Sequence, residues 1–125
     1  MTTHYHLIVE VEDGVLPRAM HSLNLAYALE FNRRHTLRGH TQFRRYGSKR
    51  IHTGVQLLDT FDYVARNPVE AQLCATPGEW PWSSYAGTVG LAEPYSFVDA
   101  SPILECFAWP GGDARTALRK QVEET

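Results

Sequence analysis

Three groups of residues in this 125-residue chain are of the types and spacings that do chemistry. The first is His4-Tyr5-His6. On an extended strand alternate residues share a face, so both imidazoles would project together and could hold one divalent cation through ring nitrogens. The second is Tyr63 with Asn67, four positions apart and therefore on one face of a helix. A phenol can act as a nucleophile toward phosphorus, and a carboxamide oxygen can complete a metal site begun by histidines. A phenol that titrates near 10 is protonated at neutral pH, so its attack requires a cation to polarise the phosphodiester. The third is a basic block of Arg33, Arg34, Arg38, Arg44, Arg45, Lys49 and Arg50, in which Phe43 and Tyr46 sit among the cations. Guanidinium groups hold phosphates and aromatic rings stack bases, so such a block suits single-stranded nucleic acid.

Each group has a plainer reading. Two histidines two apart arise often by chance, Tyr63 could pack its ring while Asn67 caps a helix, and the basic block could be a solvated, salt-bridged face.

These residues need elements to position them. His4 to Val11 is dense in β-branched and aromatic residues and reads as a strand ending at Glu12-Asp13-Gly14. Leu16, Met20, Leu23, Tyr27 and Phe31 recur at steps of three and four, which predicts a long amphipathic helix from Leu16 to about His35, with Pro17 in its first turn. Gln42 to Thr53 reads as a basic strand or extended arm. Val55 to Arg66 has helical spacing, and Asn67-Pro68 is expected to interrupt it, because proline disfavours helical geometry in the residue before it. Pro68 would then open a short second helix to Cys74. Trp80 and Trp82, in a turn-rich stretch, are expected to anchor a satellite core. Two further helices, at about Ser101 to Phe107 and Asp113 to Glu123, flank the breaker Pro110-Gly111-Gly112.

Composition narrows the function classes. Hydrophobic residues make up 43% and charged residues 21%, as in a globular domain rather than a disordered tail. The net charge of −2 hides an asymmetry: seven of twelve basic residues fall between Phe31 and Arg50 with no acid among them, while ten of fourteen acids follow Arg50. A concentrated basic stretch in an acidic chain is a footprint for a polyanion. Cys74 and Cys106 are too few for a disulfide framework and lack zinc spacing, which predicts a reducing, cytoplasmic setting. No apolar run is long enough for a membrane span, and no signal sequence is evident.

Taken together, four ordered blocks resemble the single-tyrosine HUH transposases of the IS200-like kind, and more narrowly the REP-associated tyrosine transposases. They are Met1 to Glu10 around His4-Tyr5-His6-Leu7, Phe31-Asn32-Arg33-Arg34-His35 with Gly39-His40, Tyr63-Val64-Ala65-Arg66-Asn67-Pro68-Val69-Glu70-Ala71, and Trp82-Ser83-Ser84-Tyr85. The resemblance implies an α+β, ferredoxin-like HUH fold over residues 1–90 and a helical C-terminal tail over 91–125. In the family a β-α-β portion precedes the histidine strand, so it also implies a fold incomplete at its N-terminus. By the same likeness Tyr63 is the nucleophile, and His4, His6 and Asn67 are ligands of Mg²⁺ or Mn²⁺. The substrate is single-stranded DNA beside hairpin (REP-like) elements, cut to a 5′-phosphotyrosine and a free 3′-hydroxyl, and a homodimer is left open. The rival expectations are a catalytically silent single-stranded DNA-binding remnant and a fragment with no independent function.

Overall fold

The computed structural model describes residues 1, 3–37 and 45–125, which form two compact units: residues 8–50, and residues 1–7 together with 51–125. Every regular element among the described residues is helical.

In the smaller unit, Gly14 takes a φ of +80°, a left-handed conformation that a Cβ would strain, and lets the Val15 N–H reach back to the Glu12 carbonyl at 3.1 Å. Helix α1 (Leu16–Arg34) starts from that turn with proline at its beginning, where a missing N–H costs no helical bond. It closes as Thr36 turns left-handed, so that the Leu37 N–H reaches the Asn32 carbonyl at 2.9 Å. Along one face Tyr27 stacks on Phe31 and Phe31 lies 4.3 Å from the His35 ring, the one-turn spacing that brings side chains together on a helix.

In the larger unit, α2 (Gly54–Glu70) opens with the Thr53 hydroxyl accepting the Gln56 N–H. A short 3₁₀ turn (Pro77–Glu79) follows, and then α3 (Tyr85–Thr88), α4 (Ser101–Glu105) and α5 (Ala114–Glu123), the last capped by the Asp113 carboxylate on the Arg115 and Thr116 N–H groups. Helix α2 packs against α4, α5 and the 3₁₀ turn. The core they share consists of Ala65, Tyr85, Val89, Ile103, Leu118 and Val122, with Leu57, Leu58, Phe61, Leu104 and Phe107 packed around it. Full burial of a side chain such as Leu118 stabilises by about 1.5–3 kcal/mol. Arg115 joins α5 to α3 by donating to the carbonyls of Gly87 (3.0 Å) and Thr88 (2.6 Å), two of the C-terminal acceptors that a helix leaves without partners.

Three expectations are corrected. The α+β, ferredoxin-like fold is overturned: among the described residues there is no strand, and residues 4–12 carry no regular secondary structure. Alternating β-branched and aromatic residues give a segment the conformation of a strand, but a strand exists only when its N–H and C=O groups pair with a neighbour, and no described segment provides one. Of the anticipated basic strand, 42–44 lie outside the described residues, and 45–53 form no regular element.

The helix break at Asn67-Pro68 does not occur either. Helix α2 runs through Pro68 to Glu70 and closes at Gln72, whose φ of 58° lets the Leu73 N–H reach the Pro68 carbonyl at 2.9 Å. Pro68 is buried, and the packing of Phe61, Ala65 and Pro68 offsets the one helical bond that the ring removes. Finally, Trp82 is 81% exposed and anchors no core; Tyr85, at 1%, is the aromatic centre of the unit.

Candidate active site

The continuity of α2 places Tyr63 and Asn67 one turn apart on a single rigid element. Tyr63 is half-exposed and its ring meets His6 edge-on, with centroids 5.6 Å apart and planes at 77°. His6 in turn meets His4 edge-on at 5.0 Å and 88°. The three rings thus form one row, although the segment carrying the histidines lies almost sixty residues from the phenol in sequence.

The imidazole nitrogens are differently engaged. Nδ1 of His4 lies 3.1 Å from the Thr3 hydroxyl, which orients the ring and leaves Nε2 to face outward from that bond. Nε2 of His6 is buried without a hydrogen-bond partner. Burial, followed by the charges of His4 and the Met1 ammonium, lowers the His6 pKa and favours the neutral ring, the form that ligates metals. A buried nitrogen with no partner beside a second oriented imidazole suits a divalent cation. The donor set stops there in one respect: among the described residues no cluster of three or more His, Cys, Asp or Glu side chains is placed to hold a metal. The half-buried Asn67 follows Tyr63 by one turn on the same helix, and its backbone carbonyl accepts the Ala71 N–H at 3.0 Å; the structure brings His4, His6 and Tyr63 together by their rings, and Asn67 joins them only through the helix it shares with Tyr63.

Beside Tyr63 on α2, Asp62 occupies a different environment. Its Oδ1 is buried with no partner, and burial raises its pKa, Arg66 opposing the shift while Glu70 and Asp59 add to it. Asp62 is among the charges acting on Tyr85, whose hydroxyl donates to Glu123 Oε1 at 3.3 Å; burial and Glu123 hold that phenol far above its ordinary range. The signal for this group is local: Leu58 and Ala65, one turn to either side, put Asp62 on the apolar side of α2, where a carboxylate is out of place.

A stability difference follows. Below an ordinary carboxylate pKa of about 4, Asp62 is neutral both folded and unfolded and costs nothing. As pH rises above that, the unfolded chain releases the proton while the folded one resists, so stability falls until the raised folded pKa is passed and stays lower thereafter. Asp62→Asn removes this penalty. It should raise the melting temperature at pH 7, with the advantage shrinking as the pH drops below about 4. Calorimetry of both proteins across that range checks it; equal melting temperatures at pH 7 would contradict the burial cost.

The basic block is less free than its sequence suggested. Glu30, one residue before the block, takes Arg33 through Nε and Nη2 at 2.8 Å each and Arg34 through Nε at 2.6 Å. Hydrogen bonds from Arg33 first and Arg34 second hold the Glu30 carboxyl at about 2. Arg50 pairs with Asp13. Local pairing was therefore present just outside the acid-free window. Arg45 and Lys49 are exposed and form no ion pair with another described residue, whereas Arg38, Arg44 and Phe43 lie outside the described residues. Tyr46 is partly buried.

Cys74 and Cys106 are free thiols, and no helix among the described residues is long and apolar enough to cross a membrane. Compared with known proteins, the chain matches no family model, no curated protein and no solved structure.

Proposed function

We propose that this chain cleaves single-stranded DNA and transfers the cut strand through a covalent bond to Tyr63, in the manner of a tyrosine transposase. The observation that carries the reading is the row of rings from His4 through His6 to Tyr63, which sets a half-exposed phenol beside a buried imidazole nitrogen with no partner. His4 and His6, with Asn67 from the same helix as the phenol, would hold a divalent cation. Two nitrogen donors rank Mn²⁺ above Mg²⁺ as the occupant, since Mg²⁺ demands oxygen ligands. When bound, the cation neutralises charge that develops on the scissile phosphate.

Tyr63 Oη attacks phosphorus, a new oxygen–phosphorus bond forms, and the bond to the 3′-oxygen breaks. The phenol releases its proton to water, and the departing oxygen takes one up as a 3′-hydroxyl. The phosphodiester is conserved as a 5′-phosphotyrosine, so attack by another 3′-hydroxyl joins strands without ATP. Arg45 and Lys49 supply cations for the strand's phosphates. The free thiols suit the reducing cytoplasm.

The test is incubation of the protein with a labelled single-stranded oligonucleotide bearing a hairpin, in the presence of Mn²⁺ or Mg²⁺. A protein–DNA adduct that survives denaturation and disappears on chelation is expected; cleavage-free protein under both cations would overturn the reading. A second reading, a protein that binds single strands without cutting them, is favoured by the absence of a third histidine, cysteine or carboxylate ligand among the described residues. It differs in giving salt-sensitive binding that chelators leave unchanged.

A further inference from the structure

The segment from His4 to Glu12 is complementary to itself when reversed. About Ile8 as centre, Leu7 corresponds to Val9, Tyr5 to Val11, His6 to Glu10 and His4 to Glu12. Alternate residues of a strand share a face, so two copies laid antiparallel with Ile8 opposite Ile8 would match apolar side chains on one face. On the other face each imidazole would meet a carboxylate. Centring the pair on Leu7 or on Val9 instead sets Ile8 against His6 or Glu10 and loses that match.

The structure leaves the segment available. From Leu7 to Val11 no backbone N–H or C=O group hydrogen-bonds to a described residue, and Leu7, Ile8, Val9 and Val11 are all between 38% and 51% exposed. Glu10 and Glu12 are exposed and form no ion pair with a described residue. The unit of residues 8–50 has little core into which such side chains could withdraw: α1 buries only Met20, and its Leu25 and Leu29, one turn apart, are exposed. A run of unpaired backbone groups among apolar side chains is the kind of edge to which another strand adds.

We propose that two copies of this chain pair antiparallel through residues 4–12, about a two-fold axis at Ile8, in a ribbon that one chain alone does not contain. Backbone groups left unpaired in the single chain then bond across the axis. Tyr5, Leu7, Val9 and Val11 of both copies make one apolar face. On the other face, Glu10 of the second copy stands opposite His6 and its Glu12 opposite His4, at the Cβ separation of about 4.5–5.5 Å that directly facing residues have. A neutral imidazole carries one N–H, which a carboxylate accepts. Because the same patch serves both copies, the association closes at two. The pairing does not depend on the DNA reading. For the site of that reading, it brings to the histidines carboxylate donors that the described residues of one chain do not gather there.

Sedimentation of the full chain, without metal or nucleic acid and over a broad concentration series, tests the pairing. The wild type should pass from monomer to dimer as concentration rises. Ile8→Lys and Ile8→Glu each place like charges on the axis and should weaken the dimer by at least about tenfold. Mixing the two variants should restore association as a heterodimer, because lysine then faces glutamate, and that rescue also shows both variants to be folded.

A wild type that stays monomeric throughout overturns the pairing. So does a dimer that Ile8→Lys leaves intact, or a pair of variants that fail to combine when mixed. The DNA reading fails separately: a dimer that yields no covalent adduct removes that reading and keeps the pairing, whereas an adduct formed by a strictly monomeric wild type does the reverse.

Discussion

Tyr63→Phe should abolish the covalent protein–DNA adduct, a loss of at least about 10³-fold, because the phenyl ring retains every packing contact and lacks only the oxygen that attacks phosphorus. Tyr63 is half-exposed and its ring partner is His6, so the variant should melt with the wild type. Affinity for an uncut single strand should change little, since binding draws on cations elsewhere. The same selectivity identifies the role: a merely structural tyrosine would lower binding, folding and adduct together. An adduct that persists in the variant, measured on a denaturing gel, would assign the nucleophile to another residue.

The largest expected effect on stability lies one helix away. Tyr85 is 1% exposed and stands among Ala65, Val89, Ile103, Leu118 and Val122, with the Phe61 ring 6.2 Å off. Tyr85→Ala should cost about 3–5 kcal/mol, the lost transfer of the ring plus the cavity it leaves. That is a large part of the 5–15 kcal/mol by which a domain is ordinarily stable. Tyr85→Phe keeps the ring and removes only the hydroxyl bond to Glu123, costing about 1 kcal/mol. Urea unfolding of the two variants reads the difference; a Tyr85→Ala loss no larger than that of Tyr85→Phe would move the centre of the core elsewhere. Because α2 packs in this core and carries Tyr63, Tyr85→Ala should also diminish adduct formation near its melting temperature.

Local periodicity showed the helices well. The steps of three and four from Leu16 to Phe31 mark α1, Asp113 marks the start of α5 through its carboxylate cap, and the spacing after Val55 marks α2. What the sequence left hidden depends on partners far away in the chain. Proline at position 68 argues for a break when only its neighbours are considered, but Pro68 is buried in a helix that packs on other elements of its unit, and the helix runs on to Glu70. The segment from His4 to Val11 has the residues of a strand, but pairing is a property of two segments, and only one was legible. Trp82 and Tyr85 are both large aromatics in one turn-rich stretch, and nothing local says which of them the core takes. In the basic block, counting acids within the window missed Glu30 immediately before it and Asp13 much earlier in the chain, so that three of its five described cations, Arg33, Arg34 and Arg50, are engaged in ion pairs.

The candidate site was legible in part for a chemical reason. A phenol four residues from a carboxamide is an arrangement that helical geometry alone places on one face, whereas the two imidazoles meet each other and Tyr63 without the strand expected to align them. The carboxamide's distance from the imidazoles is set by helix register and packing, which no local pattern encodes. Asp62, by contrast, was readable from its helical neighbours Leu58 and Ala65, which set it on the apolar side of α2.

Peptide mapping by mass spectrometry after reaction with a hairpin-bearing single strand and Mn²⁺ tests most directly whether these side chains make one reactive centre. A nucleotide attached through phosphate to Tyr63, and lost when His4 and His6 are both replaced by alanine, is the expected result. A nucleotide found on any other side chain, or on Tyr63 equally well without the two histidines, would contradict it.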